Sequence, residues 1–434
     1  MVNQGRRTFI KYVAAGAIVV GAAGGVYYYF TRPPPTDRTI KIGLVASLTG
    51  VASDVGTDMQ RASVLAIEEI NNAGGVYVQE YGQKLKMELV TGDDKSSPQE
   101  GVTSVKRLIL EDGADLLVGG FSSPVTAASQ VPAIENKVPF IITGASSSMV
   151  TRRTDVDTSY MFHYCSITSD YSEVIVQFFT DVMKPKVAPT RNFKLAILYQ
   201  DSSYGKGCYD SSVQTIKDLK LPIEIVAAEK FIMTDVDFHT QLAKIKAAKP
   251  DGVYHAGLVA DTATAIKQGL GDVGLKTVYV AVECCDDPNF FKLIGEWADY
   301  QVLESKFSSA ADSYMPSVDK YVAAYKKRWN ILPGMMGADT YDAIYLTKAA
   351  IEKAGTLDKA KMRDAIEAIQ IPQMLIPMKN GTIKFDENHE IEPICFIEQL
   401  RYDKTTNSVK PSIIYPEKMK TKSFELPPFY TAGQ

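Results

Sequence analysis

Cysteine is scarce in this 434-residue chain: five residues, at 165, 208, 284, 285 and 395, with no C-x-x-C spacing. That excludes a disulfide-built scaffold. No cysteine precedes residue 165, so a lipid cannot be attached beside an N-terminal signal. The four histidines (163, 239, 255 and 389) stand singly, without H-x-x-x-H or H-E-x-x-H, and no metal site is expected from them. Excess charge is also missing. Lys and Arg number 47 against 51 Asp and Glu, and no long basic run occurs, so nucleic acid has no electrostatic footprint here. Common local reaction motifs are absent too. The first βα turn, Leu48-Thr49-Gly50-Val51-Ala52-Ser53, lacks G-x-G-x-x-G, Gly205-Lys206-Gly207 has only the first two glycines of such a motif, and no G-x-x-x-x-G-K-[ST] or G-x-S-x-G occurs, so no cofactor is expected and an enzyme is disfavoured. With 30 Gly, 21 Pro and 45% hydrophobic residues, collagen-like, disordered and polytopic membrane chains are excluded as well.

What the sequence does contain begins with a leader. Arg6-Arg7-Thr8-Phe9-Ile10-Lys11 precedes an uncharged run from Tyr12 to Phe30. The Arg pair resembles a twin-arginine export signal, and the run has enough residues to cross a bilayer or to serve as a signal core. Thr31-Arg32-Pro33-Pro34-Pro35-Thr36 forms a stiff spacer. The expectation is an exported chain, extracytoplasmic and either cleaved or anchored, with residues 1–36 outside the folded part.

Two βα series follow. Apolar runs at Ile40–Ala46, Lys84–Thr91, Ala114–Gly120 and Val138–Thr143 alternate with helical periodicities, and Ser97-Pro98-Gln99-Glu100 reads as a capped helix start. A second series has strands at Lys194–Tyr199, Ile223–Ala228, Asp251–Ala256 and Thr277–Val282. Three further helices and two strands close the chain. This order predicts an α/β protein of two doubly wound parallel-sheet lobes. The acidic pairs Glu68-Glu69 and Asp93-Asp94 read as solvated, and Cys284-Cys285 as a small apolar strand end. Tyrosine is frequent, at 23, which suits mixed polar and apolar ligand surfaces and ordinary core filling alike.

Serine and glycine cluster where strands run into helices: Ser47-Leu48-Thr49-Gly50, Ser122-Ser123, Ser146-Ser147-Ser148 and Asp201-Ser202-Ser203-Tyr204-Gly205. Each serine could be a plain helix cap. Several at one sheet edge, where open α/β sheets bind ligands and helix N-termini favour anions, point to a cleft instead.

These segments, with Ile40-Lys41-Ile42-Gly43, Ala66-Ile67-Glu68-Glu69-Ile70-Asn71, Val118-Gly119-Gly120-Phe121, Pro139–Ala145 and Tyr341-Asp342-Ala343 at matching spacing, make the chain resemble the leucine/isoleucine/valine-binding branch of the extracytoplasmic solute-binding proteins of ABC transporters. The resemblance implies two lobes joined by a three-strand hinge, of the type I periplasmic-binding-protein kind. Lobe 1 would be 37–164 with 308–375, and lobe 2 would be 165–307 with 376–434. Crossings would fall near Tyr160–Ser169, Leu303–Ser308 and Ile371–Lys384. It also implies no enzymatic activity, a small amino-acid ligand, a membrane ABC permease as partner, and a monomer. Carried over residue by residue, Ser123, Ala145, Ser146 and Ser147 would meet the ligand carboxylate. Tyr204 would pack on the ligand and Glu283 would pair with its ammonium. Family aromatics fall on Val55 and Leu258, and the family's first-lobe disulfide is missing, so the ligand side chain is open. A sensor of amides, urea or organic acids shares this resemblance. An exported hydrolase or dehydrogenase would need the motifs found absent above.

Overall fold

The computed structural model describes residues 36–309 and 314–431, apart from the Glu283 side chain. The Arg6-Arg7 leader and the Tyr12–Phe30 run lie outside them. Among the described residues, no helix is long and apolar enough to cross a membrane.

The first apolar run is β1 (Ile40–Ala46), nearly all of it buried, as expected of a parallel strand covered on both faces. A small hairpin, β2 (Val76–Val78) and β3 (Gln83–Leu85), follows the Ser53–Asn72 helix. Then come β4 (Met87–Asp93), β5 (Leu116–Gly119), β6 (Phe140–Ile142) and β7 (Met161–His163), which with β1 form a parallel sheet of order β4-β1-β5-β6-β7. The second series supplies β8 (Phe193–Gln200), β9 (Ile223–Phe231), β10 (Gly252–Ala256), β11 (Val278–Ala281) and β12 (Val302–Ser305). After β12 the chain returns to the first unit for the Pro316–Trp329, Met335–Ala354 and Lys359–Glu367 helices and the short hairpin β13 (Ile371–Pro372) with β14 (Thr382–Ile383). The last strands, β15 (Phe396–Asp403) and β16 (Ser408–Tyr415), join the second sheet antiparallel, giving the order β16-β15-β12-β11-β10-β8-β9. The α/β architecture with two wound sheets is thus the observed one, the first all parallel and the second parallel except for β15 and β16.

Three connections run between the sheets. The first spans 164–167, after β7, and the second 306–308, after β12. The third lies at 391–395, later than the expected Ile371–Lys384. The reason is local. Asp342, in the Met335–Ala354 helix, accepts from the Leu375 and Ile376 backbone N–H at 3.0 and 3.1 Å and from the Tyr164 hydroxyl at 3.0 Å. Glu390 still bridges to His163 at the edge of the first sheet. Residues 371–390 are therefore held by the first unit before the chain crosses. The first and third connections touch, with Ser166 Oγ 3.4 Å from Cys395 Sγ. Lys306, in the second, pairs with Asp339 of the Met335–Ala354 helix at 3.1 Å, both fully buried. One helix thus holds the first two connections and the segment that leads into the third.

Two local expectations change. Ser97 occupies the N-cap position before Pro98, but its side chain makes no cap bond, and Glu100 reaches Lys95 instead. Asp94 is not solvated: it is 1% exposed and accepts from the Ser47 hydroxyl and the Ser96 N–H.

Candidate functional site

Both sheets turn their carboxyl edges toward one narrow cavity. The first unit contributes the turn after β5 (Phe121, Ser122, Ser123 and Pro124), the turn after β6 (Gly144 and Ser146) and Met336. From the second unit come Gln200 and Tyr204 beside the end of β8, Leu258 after β10 and Cys284 after β11. A crevice outside the carboxyl ends of parallel strands is where an open α/β sheet places ligands.

The first wall is made of hydroxyls and backbone at a helix start. Ser123 opens the Ser123–Glu135 helix, with Pro124 in its first turn and Ser122 at the N-cap. Ser122 makes no side-chain cap bond, so the helix N–H groups face the cleft edge without that partner. Ser123 Oγ accepts from the Ser147 N–H at 3.1 Å, a bond that does not use the hydroxyl's own proton. Gly144 permits the close approach of this wall, because a side chain there would begin 3.0 Å from the Phe121 ring and 3.2 Å from Met336 Sδ.

The second wall is mixed. Ser202 caps the Ser203–Asp218 helix by accepting from Gly205 N–H at 3.3 Å. Gly205 is required there, since a Cβ would lie 2.1 Å from the Gln200 carbonyl oxygen. That tight turn holds Tyr204 over the cavity, its hydroxyl donating to the Gly257 carbonyl at 3.2 Å. Leu258 is set by Asp261, which accepts the Leu258 N–H at 2.8 Å and stands 3.2 Å from His255 Nε2.

Of the eight residues proposed from sequence, Ser123, Ser146, Tyr204 and Leu258 line the cavity together. Ala145 is buried between two lining residues, and its carbonyl meets the His163 ring. Ser147 supports Ser123 through its N–H, and its hydroxyl caps the short Ser148–Val150 turn. Val55 is packed in the core in the first turn of the Ser53–Asn72 helix. The Glu283 side chain is outside the described residues, though its backbone opens the Glu283–Cys285 turn directly after β11. The Cys pair forms that turn rather than a strand end, and Cys284 faces the cavity. Gln200, Phe121 and Met336 were missed. Gln200 is the one the sequence could have shown, as the polar last residue of the apolar run Phe193–Gln200.

A second contact between the units lies beside the cleft. The Met335 N–H donates to the Asp286 carbonyl at 3.1 Å. Gly334 sits against two carboxylates, and a side chain on it would begin 2.5 Å from Asp287 Oδ2 and 3.0 Å from Asp58 Oδ2. Burial, then the Asp287 charge, pushes Asp58 up to about 7. Burial raises Asp287 to about 6. Asp58 accepts from Tyr325 Oη at 2.7 Å and Gly337 N–H at 2.7 Å, while Asp287 caps the Pro288–Ile294 helix.

Known proteins share this architecture. The sequence pattern of the family described as periplasmic binding protein matches residues 39–401. The Leu/Ile/Val-binding protein homolog 7 of Brucella abortus (strain 2308) is 25% identical over 367 residues, 82% of this chain and 88% of that protein. The branched-chain amino acid transporter substrate-binding protein LivJ from Streptococcus pneumoniae, crystallised with isoleucine, superposes with a TM-score of 0.74 at 23% identity, covering 87% of this chain and all of that one. A solute-binding protein of an ABC transporter from Rhodopseudomonas palustris BisB5, in complex with 3,4-dihydroxybenzoic acid, gives 0.73 at 23% identity, covering 90% and 99%.

Proposed function

Because this chain belongs to the periplasmic binding protein family, a family of carriers rather than enzymes, we propose that it captures a small amino acid between its two units and delivers it to a membrane ABC importer. The observation that carries the reading is the shared cavity: Ser123 and Ser146 from one sheet edge stand across from Tyr204 and Leu258 of the other. A carboxylate at the first wall would receive hydroxyl and helix N-terminal N–H donors. Glu283, directly after β11, would take the ammonium, and Tyr204 with Leu258 would cover the side chain. Contact with both walls makes ligand binding favour the closed arrangement, by its difference in affinity for the closed and open forms.

The lobes in this reading are 37–164 with 308–375 and 165–307 with 376–434. The Ile376 and Glu390 contacts favour counting 376–390 with the first lobe. The Arg6-Arg7 leader makes the site extracytoplasmic, and replacing both Arg by Lys is expected to block export, measured by cell fractionation.

A second reading, a carboxylic acid without an amine, is supported by the hydroxyl and amide donors of the lining, which suit a carboxylate whether or not an ammonium accompanies it. A thermal-shift panel of amino acids and aromatic acids decides between the two. A ligand at 100 times its dissociation constant stabilises by about 2.7 kcal/mol. Stabilisation by amino acids supports the first reading, and stabilisation by benzoates alone supports the second.

A further inference from the structure

Gln200 is the last residue of β8, 4% exposed, and lines the cavity. Its two amide ends are in different situations. Oε1 accepts the Ser202 hydroxyl proton at 2.8 Å. Ser202 Oγ in turn accepts from the Gly205 N–H, and in this arrangement the amide oxygen faces Ser202. Nε2 is then the other end. It is buried and has no acceptor among the described residues. A buried amide donor left without a partner is costly, and buried polar groups are otherwise almost always bonded. A donor of this kind on the wall of a binding cavity is matched when the cavity's occupant brings an acceptor.

We infer that Gln200 is a specificity-determining residue of the cleft: its Nε2–H donates to an oxygen on the part of the ligand that meets the second lobe, so ligands with a hydroxyl, carbonyl or carboxylate oxygen there are selected over purely aliphatic ones. The inference rests on the cavity being the ligand site, and it narrows the ligand class within that reading. Leucine, isoleucine and valine side chains carry no such oxygen. A site built around a polar group on its ligand discriminates more sharply than an apolar pocket does, because the analogue lacking that group leaves the site's own donor unpaired.

The test is calorimetric titration of the full chain, solubilised in detergent if its leader is retained, with near-isosteric pairs: threonine against valine, asparagine against leucine, and 4-hydroxybenzoate against benzoate. In the wild type, the oxygen-bearing member of at least one pair is expected to bind about tenfold tighter, the effect of one well-made hydrogen bond. Gln200→Met removes the donor at similar size and should erase that advantage. Gln200→Glu keeps an oxygen for Ser202 but offers no donor, and should erase it as well. It serves as the second variant if the methionine does not fold. If amino acids bind and no pair ratio differs between wild type and the variants, the inference is overturned and the amino-acid reading stands. If only the benzoates bind, the amino-acid reading fails and the third pair judges Gln200. If no pair binds, both fail.

Discussion

The two walls of the cleft have the same βα origin but different chemistry. On the first, the turns after β5 and β6 bring serine hydroxyls and the start of the Ser123–Glu135 helix to the edge, with Gly144 keeping them close. On the second, Gln200, Tyr204, Leu258 and Cys284 give one amide, one phenol and two softer side chains. Backbone N–H and hydroxyl groups suit a carboxylate whatever is attached to it, so the first wall fits the part that many ligands share. Large and varied side chains suit the part that differs, so the second wall fits selection. In the proposed reading, general and particular recognition are held apart, one lobe for each.

Changes to the two walls should accordingly have different signatures. The largest effect is expected from Glu283→Gln, which removes the charge proposed to meet the ammonium. Amino-acid affinity should fall by about 2–5 kcal/mol, with aromatic-acid affinity unchanged, both read by calorimetry. Next is Ser123→Ala, which should weaken every carboxylate ligand alike by about 1.5–3 kcal/mol. A loss confined to some ligands would break the division between the walls. Leu258→Ala should instead reorder the ligands, changing the ratio of a large to a small side chain by about tenfold while leaving the mean affinity near its starting value.

The smallest effect concerns the contact beside the cleft. Asp58 and Asp287 both have folded-state pKa values raised by burial, to about 7 and about 6. The folded protein therefore keeps protons that the unfolded chain has already released. Stability is expected to decline as pH rises from about 4 through about 7, the reverse of the usual carboxylate case. Asp287→Asn, which can still cap the Pro288–Ile294 helix, should raise Tm by about 2–4 °C at pH 8 and leave it unchanged at pH 4, read by calorimetric scans at the two pH values.

Much of this was legible in the sequence, because apolar runs such as Ile40–Ala46 are buried on both faces and announce parallel strands directly. The Ser-rich turns were legible too, since a strand running into a helix needs small residues where the chain reverses. Less legible was what depends on contacts between distant residues. The third connection falls after Glu390 because Asp342 holds Leu375 and Ile376 across more than thirty positions, and no local pattern encodes that. Asp94 looked like a solvated loop acid, yet Ser47, from the neighbouring strand end, buries it. Ser147 is expected at the ligand from its place in the Ser-rich turn, and the structure adds what the turn does not announce, its contacts as a cap and a support for Ser123. Gln200 was overlooked because one polar residue ending an apolar run carries no signal until its neighbours in space are known.

The central claim is that the first wall holds the ligand's carboxylate and the second wall its variable part. A crystal structure of the protein with the most stabilising ligand of the panel tests this most directly. The account predicts the carboxylate oxygens within 3.2 Å or so of Ser123 Oγ and the neighbouring backbone N–H groups, with the remainder of the ligand against Tyr204 and Leu258. A ligand bound outside this cavity, or one whose carboxylate lies on the second wall, would contradict it.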